Sequence, residues 1–361
     1  MLRHAYSNLP DYCFWRESIA KPAPDEVDPV IHAKFKVHSS DLVATAGSCF
    51  AQHIARHLAG SGFSYLVTET PHPLIGQHLY KDFNYGVFTA RYGNIYTTRQ
   101  LAQLLQRACG RFAPEEEFWE SEGRYAIDPY RPQIQPRGFA SVAELKADRA
   151  QHLAAVRRAV EQMDVFVFTL GLTEAWVSRR DGAVYPLCPG VAGGEFDRGR
   201  YEFRNFTVDE VVNDLGWAID FIRSKNAEAK VILTVSPVPL AATAENRSVL
   251  VSTTYSKSVL RVAAEQVSQQ VGQVAYFPSY EVITGAYARG AYFAADLRTV
   301  TEAGVNHVMR LFMKHYASNA PQTSRTTNER KYATAESARN LVTRMQMPSS
   351  AVCEEEMLAR R

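Results

Sequence analysis

The stretch Leu42-Val43-Ala44-Thr45-Ala46-Gly47-Ser48-Cys49-Phe50-Ala51 decides how the rest of the chain is read. Its first five residues form a short apolar run that stops at Gly47, the pattern of a strand buried on both faces. Phe50, Ile54 and Leu58 then recur on one helical face, and Gly60 and Gly62 are placed to end that helix. Ser48 therefore falls on the turn between a strand and a helix. A hydroxyl there stands at the rim of the sheet, and the helix N-terminus directs backbone N–H groups toward an oxyanion. Ser also caps helices well, and the local pattern fits both roles.

Outward from this turn the same alternation repeats. Asp164-Val165-Phe166-Val167-Phe168-Thr169-Leu170, ending at Gly171, is the clearest central strand, and 63–67, 230–235 and 274–277 supply three more. Ser141 with Glu144, and Thr207 with Glu210, carry the capping-box spacing at the head of amphipathic stripes. Residues 255–271 and 301–316 read as two further helices. Strand and helix in alternation predict an α/β fold with parallel strands and helices on both faces, whose ligands collect beyond the carboxyl ends of the strands.

Several regions stand outside that alternation. Residues 1–39 precede the first strand as an N-terminal extension of the main domain, 40–316. Residues 68–140, rich in aromatics, Pro, Gly and charge, are too long for a plain loop and are expected as an insertion over the active end. The segment 176–205 predicts a hairpin turning at Asp181-Gly182. Beyond Tyr316 the composition shifts to Ser, Thr, Asn and Arg, so 317–361 is expected as a mobile tail with one polar helix.

Bulk properties narrow the function. The 361 residues are 46% hydrophobic and 22% charged, the balance of a globular protein with a sizeable core. A net charge of +2, with no charged block longer than Glu115-Glu116-Glu117 or Glu354-Glu355-Glu356, gives no electrostatic basis for binding nucleic acid or anionic membrane. No apolar run follows the N-terminus and none nears the ~20 residues of a membrane span, so a cytoplasmic protein without membrane insertion is expected. The five cysteines, Cys13, Cys49, Cys109, Cys188 and Cys353, fit neither a zinc site nor a disulfide framework. No metal or other cofactor is expected.

Gly47-Ser48-Cys49-Phe50-Ala51 resembles the signature of the GSCFA family, a branch of the SGNH hydrolases. Tyr92-Gly93-Asn94-Ile95-Tyr96-Thr97, Gly171-Leu172-Thr173-Glu174-Ala175-Trp176, Thr234-Val235-Ser236-Pro237-Val238-Pro239 and Tyr276-Phe277-Pro278-Ser279-Tyr280-Glu281 resemble family segments in the same order. The resemblance runs from about residue 40 to 316. It implies a flavodoxin-like three-layer α/β/α sandwich on a five-stranded parallel sheet in the order 2-1-3-4-5. It also implies a serine nucleophile, Ser48, acting on an acyl group of a carbohydrate or polysaccharide precursor, as esterase or O-acyltransferase.

The sequence departs from the SGNH pattern at two places. That pattern ends in Asp-x-x-His, and here Asp296-Leu297-Arg298-Thr299 puts Thr where the base is expected; Thr is no general base near neutral pH. The Gly-x-Asn-Asp segment that gives oxyanion donors is replaced by Gly171-Leu172-Thr173-Glu174. Asn94, beside Gly93, is a substitute amide, and Glu174 could orient a base or bind substrate. His72, which follows the second strand at the active end, is the expected replacement base, with Asp296 or Glu174 to hold its tautomer. His307 is expected on the solvent face of the last helix, and His53 and His57 on a helix surface. Cys49, beside Ser48, is expected to point inward. The alternative function is an impaired domain that binds glycan or a biosynthetic partner.

Overall fold

The computed structural model describes residues 4–121, 123, 125–318 and 353–359. At its centre are five strands: β1 (Leu42–Gly47), β2 (Ser64–Tyr65), β3 (Val165–Leu170), β4 (Lys230–Val235) and β5 (Val274–Tyr276). Every neighbouring pair is parallel, and the spatial order is β2-β1-β3-β4-β5. Helices α1 (Phe50–Gly60), α2 (Thr98–Ala108), α3 (Val142–Gln162), α4 (Val208–Lys225), α5 (Val249–Gln270), α6 (Ser279–Thr284) and α7 (Glu302–Tyr316) cover the two faces. This is the three-layer α/β sandwich that the strand–helix alternation predicts.

The sheet divides its side chains by the period of two that strand geometry imposes. Ala44, Ala46, Phe166, Phe168, Val231 and Leu233 face one core, where α2, α3, α4 and α5 contribute Leu101, Val156, Leu215 and Leu260. Val43, Val165, Val167, Ile232 and Ala275 face the other, against Phe50, Ile54 and Leu58 of α1 and Val305, Val308 and Phe312 of α7. Two caps expected from sequence take shape. Ser141 Oγ accepts the Glu144 amide at 3.1 Å, and Thr207 with Glu210 forms a complete capping box. No helix among the described residues is long and apolar enough to cross a membrane.

The hairpin expected around Asp181-Gly182 is present, with Glu174–Ser178 antiparallel to both Val184–Tyr185 and Tyr201–Asn205. Gly182, at φ +73°, takes the left-handed conformation that the turn needs. Residues 319–352 and 360–361 of the expected tail lie outside the described residues. The 353–359 stretch is not loose: it forms a 3₁₀ turn over Glu354–Ala359, with Cys353, Glu354 and Glu355 buried.

Candidate active site at the turn between β1 and α1

Ser48 is held where the first strand packs closely on its neighbour. Gly47 has φ +132°, and a Cβ there would stand 2.2 Å from the Thr169 carbonyl oxygen of β3. Only glycine permits that approach. The Ser48 amide donates to the same oxygen at 3.1 Å, and the Ser48 carbonyl accepts the Ala51 amide at 2.9 Å as α1 begins. The side chain is 3% exposed, and its Oγ has no hydrogen-bond partner among the described residues. Gly171 closes the other side, since a Cβ on it would lie 3.0 Å from both Ser48 Cβ and the Tyr96 carbonyl oxygen.

The strip 92–96 crosses this turn. Ile95 N donates to Gly47 O at 2.8 Å, while Gly171 N and Leu172 N donate to Tyr96 O at 3.1 and 2.9 Å. The amides of Ser48 and Gly171 are therefore both occupied by carbonyls. Gly93 has φ +71° and allows the strip to turn beside the Glu354 carboxylate. Asn94 is buried; its Oδ1 accepts from Gln52 Nε2 at 3.0 Å, and its Nδ2 donates to Glu354 and to Tyr96 OH.

An ionic network upstream fixes the strip's entry. Arg91 N donates to Glu69 Oε2 at 2.7 Å, and the Arg91 guanidinium reaches Glu69 and Asp148 at 3.3 and 2.9 Å. Arg131 ties Asp128 and Asp148 at 2.9 and 2.7 Å and donates to Arg91 O. His152 Nδ1 lies 2.8 Å from Glu69 Oε2. Burial alone would raise the Glu69 carboxyl, but His152, Arg131 and Arg91 hold it down at about 2.

The remaining residues singled out from sequence make their hydrogen bonds to groups other than Ser48. Thr173 donates from Oγ1 to Asn205 Oδ1 at 2.7 Å, and its amide donates to Ser256 Oγ at 3.0 Å. Glu174 Oε1 accepts from Thr243 Oγ1 at 2.8 Å, and burial raises its pKa. Asp296 is exposed and caps its own loop, accepting the amides of Arg298 and Thr299 at 3.0 and 2.9 Å and the Thr299 hydroxyl at 2.5 Å. The Thr at the expected histidine position thus answers the aspartate directly. His72 is exposed, with its Nδ1 accepting the Leu74 amide at 3.3 Å, and among the described residues no hydrogen bond joins it to Ser48 or Asp296.

Two histidines are placed otherwise than expected. His307 is buried rather than solvated, bonded to Tyr292 OH at 2.8 Å and to Val27 O at 2.9 Å. The N-terminal extension covers that face of α7, a long-range packing that helix periodicity does not report. His53 Nδ1 is buried without a hydrogen-bond partner among the described residues, and burial lowers its pKa to about 4. Cys49 points inward, as expected.

The site's charged groups come from residues that local sequence patterns do not mark. Glu354 Oε2 accepts from Tyr96 OH at 2.9 Å as well as from Asn94. Arg298 donates to Glu355 Oε2 at 3.0 Å, to the Pro239 carbonyl at 3.1 Å and to Cys353 Sγ at 3.7 Å. Lys257, fully buried on α5, donates to Gly171 O at 2.6 Å. Burial drives the Lys257 ammonium down to about 8 and the Glu355 carboxyl up to about 7. Beside them a cavity of about 280 Å³ is lined by Trp176, Tyr185, Phe203, Cys188, Glu174 and Glu355, among others.

Comparison with known proteins supports the family resemblance. The model of the GSCFA family matches residues 42–312, which takes in the whole sheet and α1 through most of α7. A search of curated proteins returns no match.

Proposed function

The chain belongs to the GSCFA family, and from that premise we propose that it is an SGNH-type acyl ester hydrolase or O-acyltransferase acting on an acylated carbohydrate, with Ser48 as nucleophile. One observation carries the reading: a hydroxyl buried at the carboxyl end of β1, on the rim where α/β sheets bind ligands, with no hydrogen-bond partner among the described residues. A buried polar atom left unpaired costs stability, and a nucleophile is a reason to keep one. The cavity that Leu172 and Glu355 help to line, walled by Trp176, Tyr185 and Phe203, has the apolar, aromatic lining suited to a sugar or acyl chain.

The reading needs a base. Thr299 is none, so the role falls to a group that titrates near neutral beside the turn. Lys257 fits: it is desolvated, its pKa is about 8, and it binds the carbonyl of Gly171, the residue packed on Ser48. Serine–lysine pairs are a known variant of the triad logic. A base must be deprotonated to act, so turnover would rise with pH through about 8. Loss of turnover in His72→Gln with turnover intact in Lys257→Gln would return the role to His72.

The second reading, an impaired domain that binds glycan, rests on the Asp296–Thr299 hydrogen bond and on the two occupied amides. Intact mass spectrometry after incubation with short acyl esters and acetylated sugars separates the two. An acyl adduct on Ser48, absent from Ser48→Ala, supports the enzyme. Neither adduct nor turnover on any of them, together with calorimetric binding of the same sugars, supports the binding module.

A further inference from the structure

Two cysteines far apart in sequence meet beside Ser48. Cys49 opens α1, Cys353 opens the buried C-terminal turn, and their thiols are hydrogen-bonded to each other. They are 6% and 8% exposed. Arg298 Nη2 stands 3.7 Å from Cys353 Sγ and Tyr96 OH stands 3.9 Å from it. We infer that Cys49 and Cys353 form a reversible disulfide that fastens the segment 353–359 across the Ser48 turn.

The surroundings divide the two sulfurs by role. Cys353 faces a guanidinium and receives a hydrogen bond from Cys49, so it is the sulfur that carries negative charge; these contacts draw its pKa down to about 6. The thiolate is the reactive form of cysteine. Cys49 keeps its proton, pushed up by its bond to Cys353 and by burial, and is the resolving thiol. The groups facing the pair include Arg298, Lys257, Tyr96, Glu354 and Glu355.

The oxidant is a hydroperoxide, small enough to reach a nearly buried sulfur. The Cys353 thiolate attacks one peroxide oxygen, the O–O bond breaks, and the sulfenic acid forms as hydroxide leaves. The Cys49 sulfur, giving up its proton, attacks the Cys353 sulfur and expels hydroxide, so the S–S bond forms. In sum, two thiols are oxidised to one disulfide and one hydroperoxide is reduced, in hydrogen peroxide's case to two waters. A thiol reductant reverses the step by exchange. The disulfide would hold Glu354 on Asn94 and Tyr96, and Glu355 on Arg298.

The test uses the full chain under native conditions, reduced and then treated with equimolar hydrogen peroxide. Free thiols titrated after denaturation should fall from the five in the sequence to three. A non-reducing digest should yield one cross-linked peptide pair, Cys49 with Cys353, in monomeric protein, and dithiothreitol should release it. Amide hydrogen exchange in 353–359 should slow on oxidation. Cys49→Ser and Cys353→Ser should each remove the cross-link. Arg298→Gln, which leaves both thiols in place, should slow its formation. Retention of all five thiols, cross-links to Cys109 or Cys188 instead, or Cys353 over-oxidised with Cys49 still free would each overturn the inference. So would a cross-link that leaves hydrogen exchange in 353–359 unchanged.

Discussion

Gly47→Ala offers the sharpest test of how the turn is held. Its Cβ would enter at 2.2 Å from the Thr169 carbonyl oxygen and 2.7 Å from the Thr169 amide nitrogen, both backbone atoms of the central strand, so no side chain can swing aside. The residue must also keep φ +132°, which an L side chain rarely adopts. Strain of that kind costs about 1–3 kcal/mol, and overpacking against a fixed core adds about 1–3 kcal/mol. Gly62→Ala is the matched control: Gly62 also has positive φ, at +81°, but a Cβ there meets nothing within 4 Å. It should pay the conformational part alone, about 1 kcal/mol or a little more. In urea, with a slope of about 3 kcal/mol/M, Gly47→Ala should lower the midpoint by about 1–2 M and Gly62→Ala by well under 1 M. Equal shifts for the two variants would mean that the β1–β3 approach is not what constrains Gly47. A large shift for Gly62→Ala alone would refute the reasoning outright.

Ser48→Ala removes a buried hydroxyl that has no hydrogen-bond partner among the described residues, so stability should hold or rise by up to about 1 kcal/mol while any ester turnover is lost; a clear loss of stability would show the hydroxyl to be structural. Glu69, ordinarily near 4.5, is held at about 2 in the fold, so its ion pairs stabilise fully above ~4.5, and that contribution is lost as the pH falls toward 2. The gap in urea stability between wild type and Glu69→Gln, on the order of 3 kcal/mol at neutral pH, should therefore close between pH 5 and 2; a constant gap would remove charge as its cause. Thr299→His puts an imidazole beside Asp296, and with Lys257 as the base it should leave ester turnover unchanged; a rise of about a hundredfold would show that Ser48 had lacked a base and would count against Lys257.

The sheet, its helices and the turn at Ser48 were legible because each rests on a local signal. Strands declare themselves by short apolar runs, such as Val165-Phe166-Val167-Phe168, whose residues the fold divides between its two cores. Helix starts declare themselves by caps, as Ser141 and Thr207 do. The chemistry around Ser48 was much less legible. Lys257 reads as an ordinary polar position in a long helix, and only its 2.6 Å bond to Gly171 O, 86 residues away in sequence, makes it a buried cation. Arg298 is an unmarked position inside Asp296-Leu297-Arg298-Thr299, yet it reaches the site while its two polar neighbours face solvent. Glu354-Glu355-Glu356 reads as a solvated acidic block, but Asn94, Tyr96 and Arg298 supply donors that bury its first two carboxylates. His307 fails for the same reason in the apolar direction, since the partner that buries it comes from the N-terminal extension.

These long-range contacts bear on how any ligand would be received. The amide of Asn94 is a buried side-chain donor on the strip that crosses the Ser48 turn, and it is spent on Glu354. A ligand that uses that amide must first displace a carboxylate belonging to the same chain. Such a competitor is not diluted with the protein, because it belongs to the same chain. Apparent affinity for an acyl sugar is then reduced in proportion to the fraction of time the segment is seated. Glu354 is also buried, and burial raises its pKa. Protonation would replace a charge-assisted hydrogen bond by a weaker neutral one, so the seat should loosen as the carboxyl gains its proton. The occupancy of the Ser48 turn by 353–359 is thereby coupled to pH through Glu354 and to thiol redox state through Cys353, two inputs acting on one short segment.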